Sequence, residues 1–218
     1  IFLNKAQNEI TKLSWFKISI IFWIFLIISS FFAYNFTKAF TESIIFIRFL
    51  LIPAVVLIIL FEYQLAIKLL FVTIFVSVIF VIFDTLFQFF NYDPKLGFRE
   101  DIFGYIPDNS PHFRLTGPFK DLVPGSYISR FAFFGLITIY LFIKNQNLQN
   151  LLIIIYLGIS GFTTFISGER MAFATFGLGL LIFVLFSKNN RLYYLSSILL
   201  MFLLIFISIN LHPAHKYK

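Results

Sequence analysis

Seven apolar blocks, each near the length that crosses a bilayer as a helix, run through this chain, and no other feature limits its fold as strongly. A hydrocarbon core of about 30 Å needs about 20 apolar helical residues. The blocks lie near residues 18 to 34, 43 to 61, 65 to 88, 124 to 143, 150 to 167, 171 to 187 and 192 to 211. Within them Phe, Ile and Leu run on instead of recurring at amphipathic intervals, which excludes disorder and a helix lying along a membrane surface. With 60% hydrophobic and only 12% charged residues, the chain cannot cover a water-exposed surface, where about 25% charged is usual. The expected fold is all-α. It is a polytopic membrane protein of about seven transmembrane helices, a single transmembrane domain over residues 1–218 with one long loop at 91–123.

The other connections are short, and NFTKAFTES, FEYQ, KNQNLQN and SKNNR have the polar composition of turns. Orientation follows from their Lys and Arg content. Lys5, Lys12, Lys17, Lys68, Lys144, Lys188 and Arg191 fall on one side with two acidic residues, whereas the other side holds ten basic and eight acidic residues. The N-terminus is therefore expected in the cytoplasm and the long loop outside, periplasmic in a Gram-negative cell. The formal charge of +7 is topological in this reading and does not point to nucleic acid, because no basic stretch forms a soluble patch. The absence of cysteine excludes disulfides, zinc-thiolate sites and catalytic thiols. The block from Ile18 to Ala33 exceeds a signal h-region and lacks a small-x-small cleavage site, so it is expected to stay. Because the chain begins at Ile1 and stops at Lys218 directly after an apolar block, it is expected to be a piece of a longer protein.

Charges inside or at the edge of a membrane are costly and mark candidate sites. Thirteen residues separate Arg130 from Lys144, too few to span, so the fourth helix is expected to start at Pro124, a natural first-turn residue. Arg130 then lies about 9 Å below the helix end, either snorkelling upward or facing a polar cavity. Arg48, near the outer end of the second block, is explained by snorkelling. Asp84 and Gln88 are one helical turn apart and share a face; they are expected to line a cavity rather than merely mark the helix emerging into water, since Phe continues to Phe90. The loop is rich in Pro, Gly and aromatic residues and should fold back on the membrane surface. Its densest part is Arg114, Gly117, Phe119 and Asp121, followed by Gly125 and Arg130. Gly117 and Gly125 allow sharp turns or close approach, and Arg114 and Arg130 offer planar bidentate donors to phosphate. An Arg–Asp pair bracing the loop explains the same spacing.

A second cluster, ISGERMAF at 166 to 173, joins two apolar runs and places Arg170 at the boundary on the same side as Arg114. Ser167 is expected to cap the following helix. An Arg in a helix's first turn opposes the helix dipole, so binding of an anion is favoured over a salt bridge to Glu169. His112, His212 and His215 show no metal-site geometry, and there is no Walker loop, dinucleotide fingerprint or HExxH motif. No metal and no cofactor are expected.

Three stretches in order, FDTLFQFFNYDPKLGF (83 to 98), RLTGPFKDLVPGSYISRF (114 to 131) and SGERMAF (167 to 173), make the chain resemble the bacterial O-antigen ligase and O-antigen polymerase superfamily over residues 44 to 211. The resemblance implies a GT-C-like inner-membrane glycosyltransferase. Such an enzyme takes a glycan from undecaprenyl diphosphate on the periplasmic face and passes it to an acceptor hydroxyl, either a lipid A-core sugar or the growing polysaccharide. By that resemblance Arg114 and Arg170 contact the donor diphosphate as catalytic residues. Arg130, Asp121, Gly117, Asp84 and Gln88 are the expected substrate-binding residues around them, with membrane lipids as the remaining partner. The ligases also use a histidine in a later periplasmic loop; His212 and His215 do not match its motif and take no such role. The alternatives are a transporter of lipid-linked oligosaccharide, or a noncatalytic membrane subunit.

Overall fold

A computed structural model describes residues 14–106, 114–119, 123–187 and 190–212. They form helices α1 Ser14–Ser30, α2 Phe36–Ile45, α3 Arg48–Glu62, α4 Gln64–Phe90, α5 Pro124–Phe142, α6 Gln146–Ile166, α7 Arg170–Phe186 and α8 Arg191–Leu211. A hairpin of two-residue strands, β1 Tyr92–Asp93 and β2 Gly97–Phe98, follows α4. The architecture is thus all-helical but for that hairpin. Among the described residues, five helical runs are long and apolar enough to cross a membrane: Phe36–Val56, Leu65–Phe90, Pro124–Phe142, Gln146–Ile166 and Arg191–Leu211. Phe16–Ser30 and Arg170–Phe186 are shorter. The chain divides into two compact units, residues 1–69 and 70–218, with the boundary inside α4.

In the first unit the polar stretch NFTKAFTES is not a turn. Asn35 caps α2 by accepting a hydrogen bond from Lys38 N–H, and Phe36 and Phe40, one turn apart, pack on Phe31. The Trp23 indole donates to the Ser43 carbonyl at 2.9 Å, and Ser43 Oγ donates back to Ala39 O. Phe46 and Ile47 form a turn between α2 and α3 within the run Phe36–Val56, so the second apolar block carries a local irregularity where regular helix was expected. Arg48 opens α3, its guanidinium carbon 4.8 Å from the Phe49 ring centre.

The second unit is an up-and-down series, α4 to α8. Pro124 starts α5 as the sequence predicts: its missing N–H would lack an intrahelical partner there anyway. Asn145 accepts from the N–H groups of Asn147 and Leu148 and so starts α6 within KNQNLQN, earlier than its apolar run. α6 is the most enclosed of the span-length helices, and Gly158 and Gly161 let it approach Leu200 and Met201 of α8. Its buried Ser160, Thr163 and Thr164 satisfy their hydroxyls on carbonyls four residues back. Ile128, Ala132, Ile153, Leu157, Phe176 and Leu180 centre the core. Outward-facing side chains are apolar, as lipid contact requires: Phe186 is 82% exposed and Leu192 73%.

Candidate functional site

One end of the second unit gathers the close of α4, the loop that follows it, the start of α5, the α6–α7 turn and the close of α8. Within α4, Asp84, Thr85 and Gln88 are all fully buried. Gln88 Oε1 accepts from Thr116 N–H at 2.9 Å and Gly117 N–H at 3.0 Å, while its Nε2 donates to Tyr105 O and Thr116 Oγ1. Asp84 Oδ1 accepts from Ile102 N–H at 2.9 Å. Asp101, also buried, closes its own turn by accepting from Phe103 N–H and Tyr105 N–H. Asp84 and Gln88 therefore share a face, as their spacing predicts, but that face meets loop backbone and does not line an open cavity. A carboxylate and an amide inside an apolar bundle need such partners, and main-chain N–H groups supply them. The second oxygens of Asp84 and Asp101 are buried without a hydrogen-bond partner among the described residues.

The segment from Arg114 lies down on this helix end. Leu115 is fully buried, and Gly117 adopts φ +52°, where a Cβ would stand 2.7 Å from Thr85 Oγ1. Both the left-handed backbone and the close approach require glycine. Phe119 N–H closes the turn on Thr116 O at 3.1 Å. Arg114 itself is exposed, and its stem passes Gly168: a Cβ built there would be 3.5 Å from Arg114 Cγ.

Gly168 belongs to the α6–α7 turn. Ser167 does not cap α7. It ends α6, its hydroxyl donating to Thr164 O at 2.7 Å, because it precedes Glu169, which takes the N-cap position. The Glu169 carboxylate does not reach back to cap the helix either; it accepts a short hydrogen bond from the Ser126 hydroxyl in the first turn of α5. Gly125, one residue before, presses against Ser167 and Ala172, so the starts of α5 and α7 are in van der Waals contact. Arg170 is the first residue of α7 and is exposed. Arg130, one turn beyond Ser126 on α5, is exposed as well.

The structure thus brings Arg114 to the turn that carries Arg170, at the end of the bundle where Gln88 and Gly117 lie. No ion pair forms among the described residues, so neither Glu169 nor another described acid neutralises the three arginines. Asp121 lies outside the described residues, as do His112 and His215. No three His, Asp or Glu side chains gather among the described residues as a metal site. Ser126 and Asp101 carry no sequence signal: each is an ordinary polar residue whose partner becomes visible only in the fold.

His212 caps α8 at this same end. Its ring stacks on Phe89 with centres 3.9 Å apart, and Nε2 lies 3.0 Å from Phe89 O. A carbonyl only accepts, so this nitrogen carries the proton. Burial pushes the imidazole below its ordinary range, partly offset by the carbonyl. The unfolded chain then takes up the proton more readily than the folded one, and stability falls as pH drops through the ordinary histidine range. Unfolding at pH 7.5 and pH 5.5, followed by the loss of helical circular dichroism, should show this loss, and His212→Gln should flatten it; an equal loss in the variant would discount the histidine.

No family model, curated protein or solved structure matches the chain.

Proposed function

We propose that this chain belongs to a membrane-embedded glycosyltransferase of the O-antigen ligase and polymerase type, with a GT-C-like arrangement of about seven transmembrane helices, its N-terminus in the cytoplasm and the 91–123 loop in the periplasm. The donor is a glycan on undecaprenyl diphosphate, and the acceptor is a hydroxyl of lipid A-core or of the growing polysaccharide. The reading is carried by one observation: exposed arginines without an acidic partner among the described residues, with Arg114 laid against the turn that bears Arg170.

The chemistry fits those residue types. The acceptor oxygen bonds to the anomeric carbon and loses its proton to water, while the bond from that carbon to the diphosphate breaks and the leaving diphosphate takes the electron pair. Charge builds on phosphate oxygens, where guanidinium groups form short bidentate hydrogen bonds. Donors fixed before the reaction lower its barrier most, and the Gln88 contacts with Thr116 and Gly117 provide that fixation two residues from Arg114. Arg170 acts with the N–H groups that open α7, which favour an anion.

The test is a transfer assay with the full-length protein in vesicles, supplied with radiolabelled glycan on undecaprenyl diphosphate and with lipid A-core or repeat-unit acceptor. Labelled acceptor and free undecaprenyl diphosphate are expected in equal amounts. Movement of intact donor across the bilayer without cleavage would replace the reading with that of a transporter.

A further inference from the structure

Glu169 stands next to Arg170 and follows the glycine that Arg114 passes, yet it pairs with neither. Its Oε1 accepts from Ser126 Oγ, and its Oε2 is buried without a hydrogen-bond partner among the described residues. The carboxylate is thus turned toward α5. The close fit of Gly125 against Ser167 and Ala172 brings the Ser126 hydroxyl within reach. A carboxylate beside an arginine would otherwise form the shortest ion pair open to both, since the attraction rises as distance falls.

We infer that Ser126 is a positioning residue that draws Glu169 away from Arg170 and Arg114 and so keeps their guanidinium groups uncompensated for a diphosphate. The inference rests on the donor-site reading above and deepens it. Ser126 touches neither donor nor reacting atoms; it acts by denying the arginines an internal anion. A tethered carboxylate is always present near the site, whereas the donor must be captured from the membrane, so a freed Glu169 competes directly. The competing pair would be largely exposed, and exposed pairs hold each other by no more than about 1 kcal/mol, or roughly fivefold in affinity.

The pattern is unlike that of a merely structural residue. In full-length protein in detergent micelles, Ser126→Ala should weaken binding of farnesyl diphosphate and of inorganic pyrophosphate by about fivefold at low salt, with the gap closing as salt rises. Glu169→Gln, which removes the competing charge, should bind at least as tightly as wild type. The double variant Ser126→Ala/Glu169→Gln should recover the affinity lost in Ser126→Ala. Unchanged affinity in Ser126→Ala, or a double variant as weak as the single, overturns the positioning role while leaving the donor site in place. If Ser126→Ala does not fold, Glu169→Gln decides alone, and binding weaker than wild type overturns the role. A wild-type protein that binds neither diphosphate overturns the donor site and this role with it.

Discussion

Full-length protein carrying Arg114→Ala or Arg170→Ala should lose roughly 10²–10³-fold in glycan-transfer rate, the range seen when one preorganised donor is taken from a developing negative charge. Both side chains are exposed and neither joins an ion pair among the described residues, so folding should be nearly unaffected, within about 0.5 kcal/mol. That separation makes the experiment decisive: activity should collapse while thermal unfolding stays put. Arg→Lys at either position keeps the charge but loses the planar fork, and should recover only part of the rate. Arg130→Ala, on α5 one turn beyond Ser126, should raise KM by about tenfold and leave kcat nearly unchanged, as expected of a group holding the donor's phosphates equally in ground and transition states. Wild-type rates in both alanine variants would sink the diphosphate-binding role and favour a noncatalytic subunit.

The second large effect is on the loop. Gln88→Leu conserves volume but leaves Thr116 N–H, Gly117 N–H and Tyr105 O without the amide that now holds them. Each buried group stranded in this way costs about 1–3 kcal/mol, and the two N–H groups alone bring the loss to roughly 2–6 kcal/mol. A domain has only about 5–15 kcal/mol in total. Local release of the loop is cheaper than unfolding the bundle, so the damage should appear first as faster hydrogen exchange at Thr116 and Gly117, ahead of any fall in helix content. Gln88→Glu retains an acceptor for both N–H groups and loses the donor to Tyr105, so it should fall between Leu and wild type. Exchange unchanged in Gln88→Leu would mean that Leu115 and the Gly117 turn hold the loop without the amide.

Much of this architecture is legible in the residues because apolar runs, one of them opened by Pro124, carry most of their own boundaries. α6 starts at Asn145 inside a stretch with the composition of a turn, ahead of its apolar run, and α2 lies mostly within another such stretch. Thr, Lys, Glu and Ser give it the composition of a turn, and the helix is betrayed only by the Asn35 cap and the Phe36–Phe40 spacing. At the site, residue type and depth single out Arg114, Arg130 and Arg170, since a guanidinium at a membrane edge is conspicuous wherever it lands. The partners of Asp84 and Gln88 are not legible. Apart from the Thr116 hydroxyl, they are main-chain groups 17 to 29 residues away, and no side-chain pattern reports which backbone a buried amide will meet. The Ser126–Glu169 contact spans 43 residues and depends on a close fit at Gly125 that spacing alone does not reveal.

The length of α7 has a consequence for the surrounding lipid. Its 17 residues rise about 25 Å, several ångströms less than the usual hydrocarbon thickness of about 30 Å. If α7 crosses the membrane as proposed, beside α6 and α8 with 21 residues each, a thinner bilayer is one way to match its length. Arg170, the first residue of α7, would then stand at one rim of the thinned region, within reach of headgroups and water. On the donor-site reading, a lipid diphosphate arriving there would meet Arg170 at a thinned edge of the bilayer.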